Sequence, residues 1–418
     1  MTTHKYRTYL DRMKRKRIEV EIEEPAGSEN EVMLKYQAHV QKIKSLQITE
    51  YLKLMTRELT LMEPLETLLE QDPAKAAKLP KNFIPIYSKI REMRKTVSAA
   101  VDVQGCASMP FYLNFKLPHE PIWPTPENFR LQVLVSLMLS SQTKDEMNCK
   151  AMSQLMVYCL DNLDSAHGIS FKSLSAIDEH TLDTLIQPVG FHTRKAKFVK
   201  NAIEAIISQH ATSSLNQDSP LDVPYLYDDI VALQGVGPKM ANLLIQCAWA
   251  YGEHGIGVDV HVDRLSRMFG WVPGPKERKN PEETRVALQK LLPVSLWTEI
   301  NSVLVGFGQS ICIPRRQKCN ECFANDICPG RIRSKIEKTY SSYEEWFSET
   351  KNMLPIRTVE GEIEDMVDFV KKDIKMEEDE TNPGVKPEPV PFNFSSDKHP
   401  VVEKKLTTSK YFNKKKKT

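Results

Sequence analysis

The sequence predicts an all-α protein, and three observations carry that expectation. Apolar residues recur at helical spacing through 84–97, 129–139, 182–186, 198–207, 229–233, 240–249, 262–268, 282–292 and 296–305. Within these, Ala241, Leu244, Ile245 and Ala248 follow the i, i+3, i+4, i+7 template of a single helix face. The connections carry helix punctuation: Pro124-Thr125-Pro126, Gly190, the glycines and proline of 235–238, and Pro273-Gly274-Pro275. No strand alternation of useful length occurs, and only 16 of 418 residues are glycine, which disfavours glycine-turned β repeats and collagen.

The elements divide unevenly along the chain. Residues 1–79 read as a basic start followed by an accessory helical extension, with Val32, Leu34, Tyr36, Val40, Ile43, Leu46 and Leu52 on its apolar side. The helical texture is densest from about 80 to 335. Residues 336–418 are expected to be a mostly disordered tail with some helical tendency near Tyr343, because 377–400 are rich in Pro, Glu, Asp and Ser. The chain allows roughly two to three domains. No apolar run approaches the roughly 18 residues of a membrane span, and the first residues lack an apolar signal segment. A soluble, non-secreted monomer with no membrane partner is expected.

Charge is nearly balanced, 57 Lys and Arg against 55 Asp and Glu. Any nucleic-acid contact must therefore come from local patches. Arg12, Lys14, Arg15, Lys16 and Arg17 form one, and Lys414 to Lys417 another; both resemble nuclear import signals or sequence-independent DNA arms. A nuclear location is expected, with a mitochondrial presequence as the second reading of the basic start. Ile374-Lys375-Met376-Glu377 and Val385-Lys386-Pro387-Glu388 match a SUMO acceptor pattern at Lys375 and Lys386, though such four-residue matches are common by chance.

The most informative segment is Leu-Gln-Gly-Val-Gly-Pro-Lys at 233–239. A helix ends near Leu233, Gly235 and Gly237 flank an inward Val236, and Pro238 suits the first turn of the next helix, where its missing donor costs nothing. Two glycines permit close approach, and the N–H groups of a helix start favour an anion such as a phosphate. The plainer reading is an ordinary helix–turn–helix corner. Lys239 opens the second helix, whose positive end opposes an ammonium. A free lysine amine can attack a sugar C1′ and form a Schiff base; the plainer reading is a lysine that contacts phosphate. Twenty residues on, Asp259 precedes a helical stretch and reads as an N-cap. A cap and a catalytic carboxylate are compatible roles. His261 reads as structural.

Eight cysteines are present. Cys106, Cys149, Cys159 and Cys247 are scattered and read as buried thiols. Cys312, Cys319, Cys322 and Cys328 fall within seventeen residues as C-x6-C-x2-C-x5-C. In a non-secreted chain that is a metal site before it is a disulfide set, suited to zinc or a [4Fe–4S] cluster. The loop between the first two cysteines holds Arg315, Arg316 and Lys318, three cations able to meet a phosphate backbone.

The hairpin, the Val-Asp-Val-His segment at 258–261 and the four-cysteine spacing occur here in one order. Together they resemble the endonuclease III family of helix–hairpin–helix DNA glycosylases, in its eukaryotic form, over about 80–335. Leu137-Met138-Leu139-Ser140-Ser141-Gln142-Thr143-Lys144-Asp145 and Pro188-Val189-Gly190-Phe191 add to the match. The resemblance implies a two-domain fold: a helical domain of 122–258 with the hairpin, and a cluster domain combining 80–121 with 259–335. It implies a [4Fe–4S] cluster on Cys312, Cys319, Cys322 and Cys328. The partner would be double-stranded DNA carrying oxidised pyrimidines or abasic sites, with the damaged base flipped out of the duplex.

By the same resemblance Lys239 is the nucleophile and Asp259 its carboxylate partner. Gln142 fills the gap left by the flipped nucleotide, Phe191 wedges the opposite strand, and Ser140 and Asp145 stand near the lesion pocket. The chain departs from the family pattern at Val260, where threonine is usual, and at Asp263, an extra negative charge one turn after Asp259. Two alternatives compete with a bifunctional glycosylase and abasic-site lyase. One is a monofunctional, adenine-removing glycosylase, which would lack Lys239. The other is a non-catalytic cluster-containing DNA-binding protein, against which both filled catalytic positions argue.

Overall fold

Apolar faces at helical spacing must be buried, and here they are buried in two places. The computed structural model describes residues 29–56, 63–117, 119–163, 165–212, 220–273 and 280–356. The basic clusters at both ends, Lys375 and Lys386 lie outside the described residues. Among the described residues the structure is helical throughout, with one isolated antiparallel bridge between Val97 and Ile356. None of its helices is long and apolar enough to cross a membrane.

The first core is built round the helix Pro126–Ser140, whose residues 128–139 are all buried. A helix buried on every side belongs in the middle of a bundle, and this one packs against Pro238–Trp249, Asp145–Asn162 and Met109–Phe115. Its buried Arg130 is paired with Asp222 at 2.9 and 2.7 Å and lies 4.4 Å above the Trp249 ring. The amino-terminal extension belongs to this core. Tyr36 and Tyr51 are buried, and the Tyr51 hydroxyl donates to Ala248 O at 2.7 Å. His39 Nε2 meets Trp249 O at 2.9 Å. The extension thus satisfies carbonyls at the end of the helix that Lys239 opens.

The second core draws on Phe83–Thr96, Val260–Phe269, Pro281–Leu291 and Ile300–Ser310, with Phe83, Phe269 and Trp271 in ring contact at 4.5 and 4.7 Å from the Trp271 centroid. It runs past the expected end at 335. The helix Tyr343–Thr350 buries Trp346 completely, and the indole N–H donates to Glu321 O at 2.9 Å, which latches this helix onto the cysteine loop. It also takes in Leu65 and Leu68 from before residue 80, while Met109, Phe111 and Leu113 join the first core. The core boundaries therefore fall where side chains pack, not where the composition changes.

Candidate active site at the hairpin and the cysteine loop

The hairpin forms as its residues dictate. The helix Tyr227–Ala232 stops before Leu233, and Pro238–Trp249 begins with Pro238 at its first position. Val236 points inward and is 9% exposed. No side chain caps the second helix, so its first N–H groups remain available to an anion. Gly235 sits at φ +91°, and a Cβ there would lie 2.5 Å from the Phe198 ring. Gly237 has nothing within 4 Å of the same position and serves as the N-cap. Gly235→Ala should therefore cost roughly 1–3 kcal/mol of stability, while Gly237→Ala should stay within about 0.5 kcal/mol. Equal melting temperatures for the two variants would refute this reading of the turn.

Lys239 is partly exposed at the start of the hairpin's second helix. Asp259 is the N-cap of Val260–Phe269: its Oδ1 accepts from His261 N at 2.8 Å and Val262 N at 2.9 Å. The connector leading to it is pinned from both cores. Gln246 Nε2 donates to Gly255 O and to Trp297 O at 2.8 and 3.1 Å, and Asn301 Nδ2 donates to Gly257 O at 2.6 Å.

Asp145 completes the group. It opens the helix Asp145–Asn162, and its Oδ2 accepts from Gln309 Nε2 of the second core at 2.7 Å. Burial raises its pKa; the Gln309 hydrogen bond and the charge of Lys239 oppose the rise, while Glu146 and Asp259 add to it. His261, lowered chiefly by burial, also feels both Asp259 and Lys239. The charges of Lys239 and Asp259 thus both act on Asp145 and on His261. Asp263 does not belong to this group. That carboxylate is 3% exposed, accepts from Arg267 Nε at 2.8 Å and from the Thr284 hydroxyl at 2.5 Å, and so spends its charge in the second core. Val260 is 68% exposed.

The turn 140–144 carries Ser140 and Gln142, and the loop 188–191 carries Phe191. Ser140 donates to Leu137 O at 2.8 Å. Gln142 is exposed at φ +53°, and Phe191, 60% exposed, stands at φ +58°. Non-glycine residues held in the left-handed region store strain that surrounding structure must impose. Both line one cavity of about 160 Å³ together with Met138, Arg194, Phe198 and Gly235.

Several participants escaped the sequence reading. Gln309 carries no motif. Cys106 reads as an isolated thiol, yet burial and the Asp145 charge raise its pKa while Ser136, Ser140 and Lys239 oppose the rise, which places it at the site. Cys149 and Cys159 are buried as expected, whereas Cys106 and Cys247 are partly exposed.

Cys312, Cys319, Cys322 and Cys328 are each under a tenth exposed and line one cavity against Met268, Phe269, Phe307 and Ile311. Burial raises the Cys322 thiol well above its ordinary range, and the other three sulfurs add to that. Four mutually repelling sulfurs in an apolar shell can ionise together only round a cation. Donors already face them: Arg264 Nη1 lies 3.6 Å from Cys312 Sγ, and Ile332 N donates to Cys319 Sγ at 3.5 Å. The donor set therefore fits a thiolate-ligated metal group. Among the described residues no three His, Cys, Asp or Glu side chains are grouped to hold a single metal ion. Arg315 and Arg316 are exposed on the intervening loop, Arg315 at φ +65°, and Lys318 N closes that loop on Ile311 O at 3.0 Å.

A two-core helical fold with a glycine hairpin, a lysine at its helix start and a capping aspartate defines a class. Residues 135–294 match the family model described as HhH-GPD superfamily base excision DNA repair protein. Endonuclease III homolog 2 of Saccharomyces cerevisiae is 45% identical over 265 residues, 63% of this chain and 66% of its own. Endonuclease III homolog 1 of the same yeast is 43% identical over 59% of each chain. Endonuclease III-like protein 1 of Gallus gallus is 40% identical over 60% of this chain and 78% of its own. The chain belongs to the endonuclease III family. The matches span less than two thirds of either yeast relative's length. A solved structure described as a non-covalent endonuclease III–DNA complex aligns with 56% of this chain and 96% of its own, at 21% identity and a TM-score of 0.41.

Proposed function

We propose that this protein is a base-excision DNA glycosylase with abasic-site lyase activity, acting on oxidised pyrimidines in duplex DNA. The observation that carries this reading is Lys239 at the uncapped start of the hairpin's second helix, with Asp259 fixed as the cap of Val260–Phe269. The hairpin N–H groups and Arg315, Arg316 and Lys318 would hold the phosphate backbone. Gln142 and Phe191 would occupy the duplex where the damaged nucleotide leaves it.

In the proposed reaction the Lys239 amine attacks C1′. The glycosidic bond breaks with its electron pair leaving on the base, which takes up a proton. The sugar ring opens to an imine on Lys239. Loss of a C2′ proton then expels the 3′ phosphate oxygen, cutting the strand 3′ to the lesion. Asp259, held by two backbone donors, accepts the lysine proton and stabilises positive charge at the sugar. Water frees the enzyme. A full-length preparation should cut a thymine-glycol duplex and an abasic duplex. Base release without strand scission would favour the monofunctional reading, and no release at all would sink the proposal.

The metal group we assign is a [4Fe–4S] cluster on the four cysteines, which accords with four sulfurs about a shared cavity. Such a cluster would lock the cysteine loop and hold its arginines in place. Nuclear residence, with a mitochondrial share, SUMO attachment at Lys375 and Lys386, and a monomeric state are further parts of the proposal.

Asp145 offers a separate check. A buried carboxyl with a raised pKa is costly when ionised. The folded state holds its proton more tightly than the unfolded chain, so its penalty is absent at low pH and grows as pH rises through the folded value. Asp145→Asn keeps an acceptor for Gln309 and removes that charge. The variant should equal or exceed the parent in melting temperature at neutral pH, with the gap closing in acid, while strand cleavage falls about tenfold or more. A neutral-pH loss of stability with activity intact would refute this.

A further inference from the structure

One buried side chain meets the strained turn that bears Gln142 at three points. Lys195 is 5% exposed, and its ammonium donates to Leu139 O at 2.6 Å, Ser141 O at 2.7 Å and Thr143 Oγ1 at 3.0 Å. All three acceptors are neutral oxygens at the end of the helix Pro126–Ser140 and in the turn that follows. A helix C-terminus leaves carbonyls unsatisfied and carries partial negative charge, so a buried cation there both caps it and is stabilised by it. Burial nonetheless lowers the Lys195 pKa to about 8, a cost a merely decorative lysine would avoid by reaching solvent.

The same residue is tied through the backbone to the loop that bears Phe191. Lys195 lies in the first turn of His192–Thr212, and its N–H donates to Phe191 O at 3.0 Å. The Gly190 N–H donates to Thr143 Oγ1 at 3.2 Å, the oxygen that Lys195 also contacts. A Cβ on Gly190 would lie 3.2 Å from Gln142 O, so the two loops touch backbone to backbone. Gln142 and Phe191 therefore share one clip, made of Lys195, Thr143 and Gly190, and line one cavity.

We infer that Lys195 is a positioning residue for lesion extrusion: it presets Gln142 and Phe191 as a single rigid unit that enters the duplex together. The inference rests on the proposed glycosylase reading. It implies that the clip matters when a paired base must be pushed out and matters little when the lesion is already unpaired, since a preset wedge lowers only the cost of opening the duplex.

The test compares single-turnover cleavage of a thymine glycol paired with adenine and of the same lesion facing a one-nucleotide gap. For Lys195→Gln the paired-to-gapped rate ratio should fall about tenfold, a change general misfolding would not produce because it lowers both rates alike. Lys195→Arg, which restores the cation, should recover most of the ratio. Thr143→Val removes one hydroxyl without burying a charge and should move the ratio the same way by a smaller factor. This keeps the test alive if the glutamine variant fails to fold. Equal losses on both substrates, or an unchanged ratio in both Lys195→Gln and Thr143→Val, would overturn the inference. A parent protein inert on both substrates would overturn the glycosylase reading first, which separates the two failures.

Discussion

Lys239→Gln should abolish covalent capture on DNA. In the parent protein, borohydride added during reaction with a thymine-glycol duplex should reduce the imine and leave protein joined to DNA. Glutamine has no nucleophilic amine, so no imine forms, and strand cleavage should drop by on the order of a thousandfold or more. The fold should survive. Lys239 is partly exposed at a helix start, carries none of the hairpin's packing, and surface changes of this kind stay within about 0.5 kcal/mol. Asp259→Asn is the natural companion. Asparagine caps helices about as well as aspartate, so the contacts to His261 N and Val262 N would persist while the proton acceptor is lost. An undiminished adduct from the glutamine variant would show that another amine is the nucleophile.

The second large effect is expected at Cys322. Its thiol is buried in the second core, where burial and the other three sulfurs raise its pKa. Cys322→Ser should release the metal group and with it a loop to which Trp346 and Tyr340 are both anchored. Structural metal sites contribute several kcal/mol or more to folding, and each kcal/mol shifts melting by about 2–4 °C in a domain of this size. A fall of about ten degrees or more is expected, with loss of the brown colour and of the roughly four irons per chain that the proposed cluster would bring. Iron and sulfide analysis of the parent protein decides the assignment. Stoichiometric zinc in place of iron would keep the four-thiolate ligation and overturn the cluster.

Much of the site was legible in the linear chain because its chemistry is local. The hairpin is written in the five residues 235–239, with Gly235 at its positive φ and Pro238 at the helix start; the cap on Val260–Phe269 needs its aspartate immediately before the helix; the four thiols need close spacing to meet. Each rule acts over a few residues, so the sequence displays it. The helix Asp145–Asn162 was less legible. Its buried face of Cys149, Met152, Leu155, Met156 and Cys159 is interleaved with polar residues and lacks a clean stripe.

The two extra charges near the site show the limit most clearly. Asp145 and Asp263 both follow closely on a motif, and although the family resemblance put only Asp145 near the lesion pocket, their residue type does not tell them apart. In space one faces Lys239 and takes a hydrogen bond from Gln309, 164 residues away, while the other is neutralised by Arg267 inside a core. Lys195 is likewise one cation in a basic run until its ammonium is found capping a helix end 52 to 56 residues earlier. The sequence by itself determined the helical class, the hairpin with a lysine at its helix start, the capping aspartate, and the close spacing of four cysteines, because nearest-neighbour stereochemistry imposes them. Only the tertiary structure decided which charges share the site, where the cores end, and what holds the strained turns. Those outcomes depend on packing between segments far apart in the chain, and burial, not residue type, sets what each charge can do there.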